Sequence, residues 1–151
     1  MSCKLPPEVA AYLEAVEADK PRACQEQHAL AAHIRRCFEI EDLRVDTEQL
    51  RRYLSLSRYF SYKDLFLWER FLTALWMCTY TADGRPRWKT LFSMVGRGAG
   101  KDGFIAFVSM CATSPYNPVG SYNVDICANN EEQAMTPVLD LVNTLELPKN
   151  E

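Results

Sequence analysis

Apolar residues step at helical spacing through the first half of this chain and gather into short runs in the second. From Pro7, the positions Val9, Tyr12, Leu13 and Val16 recur every three or four residues, which predicts an amphipathic helix with proline in its tolerated first turn. Residues 22–38 predict a second helix, with Leu30, Ile34, Cys37 and Phe38 on one side and Arg35 and Arg36 off it. Asp46 is placed to cap a third, where Gln49 can reach back and Leu50, Tyr53 and Leu54 face inward. Asp64 is placed likewise before a fourth, whose Trp68, Phe71, Leu72, Leu75 and Trp76 make a wide stripe suited to core packing.

After that helix the period changes. Residues 78–81 read as a strand or extended arm, Ala82-Asp83-Gly84 as a turn, and residues 87–95 as a strongly buried strand. A glycine-rich loop follows. Phe104, Ile105, Phe107, Val108 and Cys111 then suit a helix, which the breakers around Pro115, Pro118 and Gly120 end. Residues 122–128 predict a second strand, and Asn129 or Asn130 caps a last helix that Pro137 should kink or restart. The expected fold is α/β: a helical leader, residues 1–78, followed by a β-α-β-α remainder, residues 79–151, with no repeat or low-complexity linker.

Composition narrows this little. With 151 residues, 48% of them hydrophobic and 25% charged, the chain has the make-up of an ordinary globular domain rather than of a disordered or fibrous one. A net charge of -3 gives no global reason to bind nucleic acid. Locally, Arg85, Arg87, Lys89, Arg97 and Lys101 face only Asp83 and Asp102, a cluster that reads either as a solvated hairpin edge or as a phosphate or DNA contact. The tail is acidic, with Glu131, Glu132, Asp140, Glu146 and Glu151 against Lys149. The first residues lack an apolar signal region and no run approaches the roughly 20 apolar residues of a membrane span, so the expectation is an intracellular protein without a membrane partner. Its six cysteines then read as reduced, mostly buried thiols.

Two constellations carry chemistry. Cys24, His28, His33 and Cys37 have zinc-ligand types at close spacing, but at about 100° per residue one continuous helix puts the first two on nearly the opposite face from the last two. Zinc would need a break near Ala31. The second is Arg97-Gly-Ala-Gly-Lys-Asp-Gly103, which follows an apolar run and opens a helix, the order a phosphate-binding loop requires. Glycines let backbone N–H groups approach phosphate oxygens, the helix directs its positive end at them, and Lys101 adds a full charge. Where such loops place Ser or Thr on Mg²⁺ this chain has Asp102, which either holds the metal, directly or through water, or repels the phosphates.

Several segments in order resemble the large terminase subunit of tailed bacteriophages, the ATP-driven motor that packages DNA into the capsid. Leu65-Phe-Leu-Trp-Glu-Arg-Phe71 resembles that family's Leu-x-x-Trp-Gln adenine-side motif, with Glu69 in place of glutamine. Arg97-Gly-Ala-Gly-Lys101 is similar to its version of Walker A, which carries an arginine four positions before the lysine and often lacks the general first glycine. Val124-Asp-Ile-Cys-Ala-Asn-Asn-Glu-Glu-Gln-Ala134 resembles the next strand and the Glu-Gln-Ala helix start. The likeness runs from about residue 23 onward.

The resemblance implies an incomplete P-loop NTPase unit that binds ATP, with Lys101 on the β and γ phosphates, the N–H groups from Gly98 through Ala99, Gly100 and Asp102 to Gly103 around them, Arg97 sensing or stabilising the γ-phosphate, and Trp68 and Glu69 near the adenine. It also implies Mg²⁺, with Asp102 as its candidate ligand, and as partners the rest of the large subunit, the small subunit, the portal and phage DNA, in the cytoplasm of a bacterial host. An acidic strand end for magnesium and water activation is missing: Val138-Leu139-Asp140 continues at helical spacing. The nuclease part has no room. The chain therefore reads as the front of such a subunit, truncated or divided. The alternatives are a remnant that binds a partner polypeptide through an open sheet edge without using nucleotide, and direct DNA binding through Arg85, Arg87 and Lys89.

Overall fold

The computed structural model describes residues 5–62 and 64–146; Cys3, Lys149 and Glu151 lie outside them. It is a mixed α/β chain with six α-helices and one two-stranded antiparallel sheet among those residues. Two compact units form, one from the chain up to Leu50 with Phe66–Leu91, the other from Arg51–Leu65 with the chain from Phe92 onward. No described helix is long and apolar enough to cross a membrane.

In the first unit α1 (Pro7–Glu17) packs against α2 (Gln25–Ile40) and α4 (Leu67–Leu72). The helical stripe is the reason: Val9, Leu13 and Val16 are buried beside Ile34, Cys37 and Phe38, and Tyr12 stacks on the buried Phe71 with ring centres 4.1 Å apart. Fully burying a ring such as Phe71 contributes about 2–3 kcal/mol. Arg35 clamps α2 to α1 through a two-pronged pair with Glu17, its Nη2 donating to Oε2 at 2.7 Å. Between them, β1 (Leu43–Val45) runs antiparallel to β2 (Thr79–Thr81), with Leu43 opposite Thr81 and Val45 opposite Thr79. As expected, Asp46 caps α3 (Thr47–Ser55): its Oδ1 accepts the Gln49 N–H at 2.9 Å. The Gln49 Oε1 accepts the Tyr80 hydroxyl at 2.8 Å, and the Asp46 N–H is donated to the Cys78 carbonyl at 2.8 Å. A π-helical turn, Thr73–Met77, joins α4 to β2.

In the second unit a 3-10 turn, Leu56–Tyr59, delivers Phe60 against α5 (Lys101–Thr113), where Phe60 and Phe107 meet edge to face with centres 6.3 Å apart. The last helix, α6 (Glu131–Glu146), packs on α5 and is capped by Asn130, whose Oδ1 accepts the Gln133 N–H at 2.9 Å. Pro137 does not restart it. The helix continues through a buried Pro137, so packing offsets the one backbone hydrogen bond that proline cannot donate.

Both strands expected of the β-α-β-α remainder are absent. Gly84, with φ +79°, turns the chain as anticipated, Pro86 bridges Tyr80, and Arg87 donates its N–H to the Thr79 carbonyl. In that register the next partners of residues 88 and 89 would be Cys78 and Met77, where the chain is already leaving the π-helical turn. The template runs out, and among the described residues 88–96 pair with no strand. Phe92 and Met94, expected to be buried, are 85% and 86% exposed. Residues 122–128, with no neighbouring strand, are likewise irregular and largely exposed.

Candidate nucleotide-binding site

Residues 97–103 turn sharply into α5. Gly98 and Gly100 sit at φ +78° and +88°, the left-handed region where a side chain costs about 1–2 kcal/mol and glycine costs nothing. Gly100 is the cap residue and Lys101 the first helical residue, so the free N–H groups of the first turn belong to the residues that the phosphate reading names. The Ala99 N–H is donated to the Gly96 carbonyl at 3.2 Å, and the helix ladder begins with Phe104 N–H on Gly100 at 2.9 Å. Arg97 is exposed.

Lys101 does not project alone. Its Nζ lies 2.8 Å from Asp102 Oδ1, with both side chains about half exposed. A pair so exposed is worth less than about 1 kcal/mol, so a polyphosphate can displace the carboxylate from the ammonium. These donors fit a polyphosphate: backbone N–H groups, a helix start and a displaceable lysine. Mg²⁺ would find a single carboxylate here, Asp102, and would take its remaining ligands from phosphate and water oxygens. Elsewhere among the described residues, no three His, Cys, Asp or Glu side chains gather closely enough to hold a metal.

Gly103 stands in the first turn of α5 against an aromatic ring. A Cβ there would lie 3.2 Å from Tyr62 Cε1, and the Tyr62 hydroxyl donates to the Gly103 carbonyl at 2.9 Å. Tyr62 itself stacks on Phe60 with centres 5.0 Å apart. No spacing rule could have found this residue, because the contact joins positions 41 apart in sequence.

Trp68 and Glu69 belong to the first unit and the loop to the second. Trp68 is half-buried on α4. Glu69 is 4% exposed and caps its own helix, Oε2 accepting the Phe66 N–H at 2.8 Å, the place expected for Asp64. The signal was present: a glutamate three residues after the residue preceding the helix. Burial pushes the Glu69 carboxyl above its usual range, and the Phe66 N–H partly opposes this.

The other charged clusters are committed within the first unit. Asp83 takes Arg85 and Glu41 takes Arg87, whose guanidinium also lies 5.3 Å from the Trp88 ring centre. Of the five cations that run from Arg85 to Lys101 in sequence, Lys89 and Arg97 are exposed and lie outside these carboxylate pairs. The helix α2 passes unbroken through Ala31: His28 sits 3.6 Å from Asp19, and His33 sits 3.5 Å from the Cys37 thiol.

Compared with models of known protein families, with curated proteins and with solved structures, the chain shows no match.

Proposed function

We propose that this chain is a nucleotide-binding polypeptide of the P-loop class, which holds a nucleoside triphosphate at residues 97–103. The reading is carried by one observation: Gly98 and Gly100 are left-handed and Gly100 caps α5 at Lys101, so the glycines lie where a phosphate-wrapping backbone needs them. In particular, with the tryptophan motif before the loop and the Glu-Gln-Ala helix after it, the chain is the ATP-binding front portion of a phage terminase large subunit. Lys101 binds the β and γ phosphates, Arg97 the γ-phosphate, and Asp102 bears on magnesium. Residues 87–95 and 122–128, irregular in this structure, become strands of a P-loop unit only when the remaining segment of the subunit supplies neighbours. Cleavage then depends on carboxylates from that segment, and the small subunit, portal and DNA are partners of the assembled motor in a bacterial host. Calorimetric titration with Mg-ATP tests the binding step: a saturable heat that Lys101→Ala abolishes supports it, and no heat with the parent chain removes it.

A second reading is favoured by the exposure of Phe92 and Met94: a remnant that binds a partner polypeptide through unpaired backbone and no longer uses nucleotide. Saturable ATP binding excludes this alternative.

A further inference from the structure

We infer that Tyr62 is a positioning residue for the phosphate loop, an assignment that rests on the nucleotide-binding reading above. It reaches α5 from the segment after the 3-10 turn and is held from behind by its stack on Phe60, which in turn packs on Phe107 of the same helix. Its hydroxyl donates to the carbonyl of Gly103 at 2.9 Å, two residues beyond Lys101. Its ring edge crowds position 103, with Cε1 3.2 Å and Cζ 3.4 Å from a Cβ built there, so a side chain at that position would make the ring give by a few tenths of an ångström.

These contacts give a local reason for glycine at this position. Gly103 is the third residue of α5 and its φ is not left-handed, so the backbone conformation alone does not call for glycine there. Close approach of Tyr62 is the reason the structure offers. The consequence is directional. The first turn of α5 is pinned by a side chain fixed elsewhere in the same unit, so the orientation of its N–H groups and of Lys101 is set before phosphate arrives. Preorganisation of this kind raises affinity by removing an ordering cost from the binding step.

The test uses the full chain, with Mg-ATP and inorganic pyrophosphate as separate probes in calorimetry and thermal melting as the control for folding. Tyr62→Phe keeps the ring and removes the donor. It is expected to weaken ATP and pyrophosphate alike by about threefold to tenfold, with the melting temperature nearly unchanged. Gly103→Ala, whose methyl group pushes the ring and its hydroxyl away from the helix, should weaken both probes in the parent chain and much less in a Tyr62→Ala background, where no ring is crowded. Loss of ATP affinity with pyrophosphate unaffected would place Tyr62 at the base or sugar and overturn the inference. So would unchanged affinities in Tyr62→Phe together with additive effects of Gly103→Ala and Tyr62→Ala. Absence of binding by the parent chain removes the nucleotide reading itself, and this assignment with it.

Discussion

Gly98 and Asp102 make opposite kinds of test at the loop. A Cβ on Gly98 would meet nothing within 4 Å, so Gly98→Ala isolates the cost of a left-handed backbone. That cost is about 1–2 kcal/mol, paid either as lost stability or as a rearranged turn. Melting should therefore fall by a few degrees, or ATP affinity should drop with stability retained; no change in either would mean that the turn geometry is irrelevant. Asp102 is a matter of charge. It neutralises Lys101 in the free chain and would stand beside the phosphates in the bound one. Asp102→Ser removes the repulsion and restores a hydroxyl for magnesium, so Mg-ATP affinity measured by calorimetry should rise about tenfold. Weaker binding in that variant would instead identify Asp102 as a carrier of the metal. These residue types were legible in the sequence because glycines and a lysine before a helix form a local pattern. Tyr62 was not, since its contact with Gly103 depends on tertiary folding.

Helices were legible wherever the apolar period was long enough to repeat. Val9, Leu13 and Val16 on α1, and Phe104, Phe107 and Cys111 on α5, are buried as the spacing predicts. Of the sheet, one half was legible: residues 78–81 read as a strand or extended arm, and β2 lies at Thr79–Thr81. With three residues, β1 has too few positions for alternation to register, and its pairing with β2 joins distant segments. Residues 87–95 were misread for the converse reason: Leu91, Phe92, Met94 and Val95 give a strand-like run, but whether a run becomes a strand depends on a partner, and β2 begins too late in the chain to be one. What anchors the beginning of that segment is Arg87 on Glu41, with Nη2 donating to Oε1 at 2.8 Å. The Arg87 guanidinium, by hydrogen bonding, holds the Glu41 carboxyl below its ordinary range near pH 4.5. A carboxyl depressed on folding contributes stability that is present above its unfolded pKa and lost as pH falls through the folded one. Arg87→Ala should therefore cost about 0.5–1 kcal/mol at neutral pH, with the difference from the parent shrinking below about pH 4 in denaturant titrations. A difference constant across that range would refute the role assigned to this pair.

At the scale of the whole molecule, the notable quantity is apolar surface left in water. Phe92 and Met94 are exposed in the irregular segment before the loop, and Leu139, Val142 and Leu145 lie exposed on α6. If residues 87–95 take up strand structure only with the rest of a larger subunit, replacing Phe92 and Met94 by serine should leave the melting temperature of the isolated chain almost unchanged, since side chains already in water contribute little. The same double substitution should reduce concentration-dependent association in size-exclusion chromatography with light scattering. A large loss of stability would show that these side chains are packed in solution and that the segment is complete as it stands.

All of this turns on whether residues 97–103 bind nucleotide. Calorimetric titration of the parent chain and of Lys101→Ala with Mg-ATP, at the same salt and with matched melting curves, measures that most directly. The account predicts one saturable site in the parent and at least about 30-fold weaker binding in the variant, as befits removal of a cation opposite phosphate. Equal affinity in the two chains, or no saturable heat in the parent, would contradict it.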